Sequence, residues 1–372
     1  MTRGHYPPPG VEIESIEELD AALADGLAPA RLRLQDLDLT DYHGLDRRTD
    51  LDELVVLGGT LSPALDAHLR AHGAIIFPND PDAAPIRPYR ARLYTADELY
   101  ADLAAGYPAT PDALAYGWYR NGLRHPDVFS ALLQAIHDDS ISDALAEFVR
   151  NRQVIGVMGG HAVARGTEAY ADAARLGFNL AERGFLVNTG GGPGAMEAAN
   201  LGALARSADD LTRALAVVAD VPSFADDIGA WAACGLRARD LLATPDATPT
   251  DPRSLGIPTW FYGHEPPNVF AQGIAKYFSN AIREDWLLAH SQAGIVVLPG
   301  AAGTVQEVFQ FATRAYYADT TPPPLVLVGE QHWREKLPVW QLISALASDR
   351  LMASRIALVD TVDDAAAMLL AR

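Results

Sequence analysis

The chain has 372 residues, 49% hydrophobic and 21% charged, enough to bury the core of one large domain or two ordinary ones. Its formal charge of −19 disfavours a nucleic-acid backbone or an anionic membrane as partner, but leaves room for a small phosphate held by a helix end. The single cysteine, Cys234, rules out an internal disulfide; with no apolar h-region in "MTRGHYPPPG" and no apolar run near the ~18 residues that span a bilayer, a cytoplasmic protein is expected.

Residues 1–150 predict a smaller α/β accessory module, for which a regulatory role sensing a second nucleotide is one reading. Strands are expected at 53–59 and 73–78, with a helix over 61–72 between them. Another helix is expected over 94–106, with Thr95 as its cap and Glu98 at capping-box spacing. From Gln153 onward short apolar runs alternate with helical patterns. Strands are expected at 154–158, 185–188, 214–219, 259–262, 294–298, 324–328 and 356–359. Helices are expected at 166–183, 194–207, roughly 267–291, 304–317, 333–348 and 362–371, and proline-rich loops at 243–254 and 320–324. Continuous Val/Ile/Leu runs separated by helices indicate strands buried on both faces of a sheet. Residues 151–372 are therefore expected to form a doubly wound, Rossmann-like parallel α/β domain with ligands at the carboxyl ends of its strands.

Three glycine turns follow three of those strands. The first, "MGGHAVARG", holds Gly159, Gly160 and His161; it does not match G-x-G-x-x-G, so a nicotinamide dinucleotide is poorly supported. His161 reads either as a ligand contact or as a solvated loop histidine. The second, "NTGGGPGAMEAANLGA", holds Gly190, Gly191, Gly192 and Gly194, then Met196 and Glu197; its other reading is a tight turn serving packing alone. The third, "LPGAAGTVQEVFQ", places Gly300, Gly303 and Thr304 at a helix start and Glu307 in the first turn. Backbone N–H groups and a positive helix end there suit a phosphate, with a carboxylate beside it. An acid in a first turn is also stabilised by the dipole alone, and this applies to Glu197 and Glu307 alike. If the three strands are neighbours, one loop binds phosphate and the others cradle ribose and base; a receiver- or flavodoxin-type domain is the alternative without a role for Glu307. Arg283 is the best cationic candidate, its other reading being a surface arginine paired with Glu284 or Asp285. His264 and Glu265 are plausible lining residues. Apolar residues between Phe270 and Leu288 suit either a dimer helix or the core.

"TGGGPGAMEAANLGA" and "PGAAGTVQE" resemble the two motifs of the LOG family, often mislabelled as lysine decarboxylases: GGG-x-x-G-(L/A)-M and P-G-G-x-G-T-x-x-E. The likeness covers roughly residues 150–372, where "PLVLVGEQHW" and "IALVDTVDDAAAMLL" look like the family's last strands and helix; the GGGPGAME wording is closest to the larger bacterial nucleotide 5′-monophosphate nucleosidases. The resemblance implies hydrolysis of the N-glycosidic bond of a nucleoside 5′-monophosphate, purine-type by preference, to free base and ribose 5-phosphate. It places phosphate on Gly300, Gly303 and Thr304, the motif acid at Glu307, and Arg283 as nearest match to a family arginine. A carboxylate near the anomeric carbon stabilises a cation-like sugar, holds ribose hydroxyls or activates water, while Arg283 orients phosphate or base. No metal cluster is apparent in the sequence, so hydrolysis without metal or cofactor is expected, in a homodimer or higher homo-oligomer. The second motif glycine is Ala301, costing on the order of 1 kcal/mol if that position needs positive φ. The family arginine lies one residue nearer the proline, where this chain has Glu284; such a slip turns a helix face by about 100°. The competing reading is a protein of the same fold that holds a nucleotide or a molybdopterin-type phosphate ligand without turnover.

Overall fold

A computed structural model describes residues 11–77, 84–125, 127–242, 251–263 and 265–370. His264, Pro78 and most of the proline-rich stretch 243–254 lie outside the described residues. Packing divides the chain into two units, Met1–Arg92 with Asp127–Ala144, and Leu93–Pro126 with Leu145–Arg372. The division expected at residue 150 is redrawn, because 93–126 are fastened to the second unit by a buried network. Asp112 pairs with Lys276 and accepts from Trp260 Nε1 at 3.0 Å and from Tyr107 OH at 2.9 Å.

The first unit begins with β1 (Val11–Ile13), α1 (Ile16–Ala24), β2 (Leu32–Gln35), β3 (Asp38–Leu39), β4 (Val55–Leu57), β5 (Thr60–Leu61), α2 (Pro63–Ala71) and β6 (Ile75–Phe77). The strands expected at 53–59 and 73–78 are β4 and β6, and the helix expected between them is α2. A parallel sheet of order β1-β2-β4-β6 buries Leu19, Leu34, Leu54, Leu65 and Leu69, and β3 pairs with β5 separately. Ser15 and Ser62 cap α1 and α2 by accepting the N–H three residues on.

The second unit opens with α3 (Ala96–Leu99), α4 (Pro111–Arg124) and the end of α5 (Val128–Phe148). The helix expected over 94–106 stops after four residues. Thr95 caps it by accepting from Glu98 N–H, but Asp102 at φ 62° and Gly106 at φ 104° turn the chain out of the helix. The remaining elements are β7 (Val154–Met158), α6 (Glu168–Ala181), β8 (Leu186–Thr189), α7 (Ala195–Leu204), α8 (Ala208–Val218), α9 (Ile228–Leu242), β9 (Ser254–Gly256), β10 (Gly273–Ile274), α10 (Asn280–His290), β11 (Gly294–Val297), α11 (Ala302–Tyr316), β12 (Leu325–Val328), α12 (Val339–Ala347), β13 (Ile356–Val359) and α13 (Val362–Leu370). The sheet is parallel throughout, in the order β10-β9-β8-β7-β11-β12-β13. The expected α/β class and doubly wound parallel sheet are thus present.

Three further expected elements differ. The run at 214–219 is not a strand but the end of α8: Ser207 caps that helix, and Leu211, Ala214 and Val218 are buried at helical spacing. Residues 259–262 form no strand, because Thr259 Oγ1 accepts from the N–H of Phe261 and bends the chain after one bridge to Tyr277. The segment 267–291 is helical only from Asn280, where Ser279 supplies the cap. Before that the chain is extended through β10, and Phe270, Ile274, Tyr277 and Phe278 are core residues rather than a dimer helix.

Candidate functional site

From β7 the chain steps through β8, β9 and β10 toward one sheet edge, then restarts at β11 on the other flank of β7 and proceeds to β13. The loops after β7 and β11 therefore diverge at a switch point, where an open α/β sheet leaves a crevice. A cavity of about 630 Å³ lies there, lined by Gly159, Gly160, His161, Met196, Tyr262, Glu265, Arg283, Glu284, Gly300, Ala301, Gly303, Thr304, Glu307 and His332.

The two glycine-led helices meet this cavity differently. Most helices here start on a serine or threonine that covers a first-turn amide, as at Thr110, Thr167, Ser207 and Ser279. α7 starts on Gly194 and α11 on Ala301, and neither residue supplies a side-chain cap. At α7 the Ala195 N–H is taken by Gly160 O at 3.1 Å. At α11 the first-turn residues Ala302, Gly303 and Thr304 line the cavity, so the uncapped helix end borders it. Gly300 is needed for close approach, since a Cβ there would strike the side chain of Thr304, whereas one at Gly303 would meet open space. Ala301 has φ −120°, so the strain that a positive φ would have imposed is absent. His332 Nε2 donates to Gly300 O at 3.0 Å and steadies the turn from the loop after β12.

Arg283 is buried and held by two loops. Its Nε donates to Ile257 O at 2.7 Å and its Nη2 to Gly190 O at 3.2 Å. Nη1 is left 3.8 Å from Glu307 Oε1 and 3.9 Å from Glu284 Oε1. The one-residue slip therefore does not carry Arg283 away: both it and Glu284 face the cavity from the first turns of α10. Glu307 is 8% exposed, and burial pushes its carboxyl up to about 7; Arg283 opposes the rise, while Glu284 and Glu265 add to it. At the rim His161 Nδ1 lies 3.1 Å from Glu265 Oε1. Burial lowers His332 and raises Tyr262.

Of the residues singled out from sequence, Gly159, Gly160, His161, Met196, Arg283, Gly300, Gly303, Thr304 and Glu307 come together on the cavity. Gly190, Gly191, Gly192 and Gly194 form the layer behind it. Gly191 and Gly194 have φ 71° and 74°, and a Cβ at Gly190 would strike Arg283 Nη2. Thr189 Oγ1 accepts from Gly191 N–H, and Asn268 Nδ2 donates to Gly192 O, so that loop is pinned from inside. Glu197 is elsewhere: fully buried and bidentate with Arg165, whose guanidinium lies 4.5 Å from the Trp231 ring. Its carboxylate is occupied by that pair rather than by the cavity. Sequence reasoning passed over Tyr262, hidden in a supposed strand, and His332, although it follows a strand as the glycine loops do. Glu284 was expected as a partner for a surface arginine and as the residue at the family arginine's position, with no role on the cavity. Among the described residues no group of three or more His, Cys, Asp and Glu could hold a metal ion, and no helix is long and apolar enough to cross a membrane.

A family model described as "Possible lysine decarboxylase" matches residues 246–371, and one described as the SLOG cluster4 family matches residues 152–212. No curated protein sequence matches the chain. Similar solved structures include the molybdenum cofactor binding protein from the phototrophic bacterium Rippkaea orientalis, 17% identical over 60% of this chain and 98% of that one, with a TM-score of 0.37. They also include the molybdenum cofactor carrier protein from Chlamydomonas reinhardtii, 18% identical over 59% of this chain and 100% of that one, with a TM-score of 0.33.

Proposed function

We propose that the region from residue 152 to 371, which belongs to the LOG or lysine decarboxylase-like family, hydrolyses the N-glycosidic bond of a nucleoside 5′-monophosphate. The observation that carries this reading is one cavity holding both the uncapped start of α11 and the buried Glu307. A helix start binds the phosphate that does not react, and its binding energy orients the sugar that does. In this reading the amides of Ala302, Gly303 and Thr304 take the phosphate, and Glu307 lies against the ribose.

The C1′–N bond breaks with its electron pair going to the base, leaving positive charge shared between C1′ and the ring oxygen. Water adds to C1′, its proton passes to Glu307, and the departed base nitrogen takes that proton in turn, which returns the carboxylate to its starting state. A carboxyl that ionises near 7 is matched to taking a proton at neutral pH, a contribution on the order of 10²–10⁴ in rate. Arg283 keeps that carboxyl ionisable, because its charge opposes the effect of burial. The products are free base and ribose 5-phosphate. A homodimer and a cytoplasmic location belong to the same proposal, and sedimentation reads the first.

The test is to incubate the full chain with AMP, GMP, IMP and CMP and to separate the products chromatographically. Free base in equal amount to ribose 5-phosphate is expected from at least one purine monophosphate. Tight binding of a monophosphate with no base released from any would overturn the enzyme reading and leave a ligand-holding protein.

A further inference from the structure

Glu284 has no part in that scheme, yet it is 3% exposed and lines the cavity. It is held as firmly as any group there: Asn280 Nδ2 donates to Oε1 at 2.8 Å, and Gln306 Nε2 donates to Oε2. Each bond takes one of about two acceptor sites per oxygen, so each oxygen can accept another hydrogen bond. Glu284 and Glu307 stand on either side of Arg283 Nη1, at 3.9 and 3.8 Å. Those gaps are too long for hydrogen bonds, so the N–H groups of Nη1 are open to a guest.

One guanidinium faces two carboxylates here, so the spot is not a cationic one. It gives a phosphate dianion little attraction, which leaves the phosphate to the start of α11 and removes Arg283 from that task. It suits neutral hydroxyls, each of which donates to a carboxylate and accepts from Nη1. It also suits the positive charge that develops on the sugar. We propose that Glu284 determines sugar specificity: with Glu307 it brackets Arg283 and forms a subsite for the vicinal 2′,3′-diol of a ribonucleotide. A 2′-deoxyribonucleotide leaves one of these buried acceptors without its donor, which the site cannot replace with bulk water. The proposal rests on the nucleotide reading above, and its test separates the two.

The kcat/KM values for a ribo- and a 2′-deoxyribonucleoside monophosphate of the same base are compared in the unaltered chain and in Glu284→Gln. The ribo form is favoured by about a hundredfold in the unaltered chain and by under about tenfold in Glu284→Gln. Glu284→Asp keeps the charge but withdraws it by one methylene, and gives an intermediate ratio. A ratio near one in the unaltered chain, or an equal ratio in all three, overturns the proposal. Calorimetric binding of ribose 5-phosphate and 2-deoxyribose 5-phosphate to the same proteins reads the subsite without turnover. Discrimination there that depends on Glu284, with no base released from any nucleotide, sinks the hydrolase reading and keeps the diol subsite. Base release with no preference between the sugars does the reverse.

Discussion

The raised carboxyl of Glu307 makes a stability prediction that needs no substrate. In the unfolded chain the group ionises near 4.5, and in the folded chain near 7. Between those values the folded state keeps a proton that the unfolded state has released. Its contribution is therefore fully present below 4.5 and is lost as pH rises through about 7. The full interval corresponds to about 3 kcal/mol at 1.36 kcal/mol per pH unit, and most of it falls between pH 5 and pH 8, about 2–3 kcal/mol. Glu307→Gln removes the titration and leaves a similar shape. The variant should thus gain about 2–3 kcal/mol on the unaltered chain between pH 5 and pH 8, or about 5 °C in Tm for a unit of this size. Glu12, pushed up to about 7 by burial and by Asp143, titrates equally in both proteins and cancels. Scanning calorimetry at pH 5 and pH 8, at one ionic strength, reads the difference. A Tm difference that does not change with pH would refute the buried, ionisable Glu307. The same substitution should lower base release by 10²–10⁴-fold, on the order expected for loss of a positioned general base.

Three further substitutions probe the scaffold. Gly300→Ala forces the Thr304 side chain out of place and should raise KM for a monophosphate at least about tenfold, with kcat changed less, by steady-state kinetics. Ala301→Gly relieves no strain, because φ is already −120°; it should leave kinetics unchanged and lower stability by up to about 1 kcal/mol through backbone entropy, by denaturant titration. Arg165→Ala leaves Glu197 buried and unpaired and should cost about 3–5 kcal/mol, seen as a large drop in Tm.

The central strands of the second unit were legible because they are buried on both faces. The apolar runs at 154–158, 294–298 and 324–328 have one plausible partner, a parallel sheet under helices, and β7, β11 and β12 sit there. The run ending in α8 carries the same residue types, but its burial repeats at 211, 214 and 218, a helical spacing that composition alone does not display. The segment 259–279 was opaque for another reason. Its course is set by Asn268, Thr259 and Lys276, which reach to Gly192, Tyr277 and Asp112 respectively. Those partners lie up to 164 residues away, and no local signal announces them. Glu284 was visible only as the neighbour of Arg283 in a helix expected over roughly 267–291, and its inward direction follows from Asn280 and Gln306 jointly holding the carboxylate.

The two glycine turns look alike in sequence and do opposite work. Each follows a buried strand, breaks it with glycine and opens a helix that has no capping side chain. After β8 the loop is turned inward: Gly191 packs against Ile257 and Pro258, Gly194 against Gly160 and His161, and the Ala195 amide is spent on Gly160 O. Its glycines are there so that three loops can touch and so that Gly190 O can hold Arg283. After β11 the residues from Gly300 to Thr304 all line the cavity. What separates them is that the first amide of α7 has an intramolecular carbonyl as partner, while the start of α11 borders the cavity. Substitutions that add a Cβ at Gly191 or Gly194 should therefore lower Tm, whereas Gly300→Ala should lower affinity for a monophosphate as well as Tm, because it displaces Thr304. Loss of stability from Gly300→Ala with unaltered affinity would mean that the β11 turn, too, serves packing.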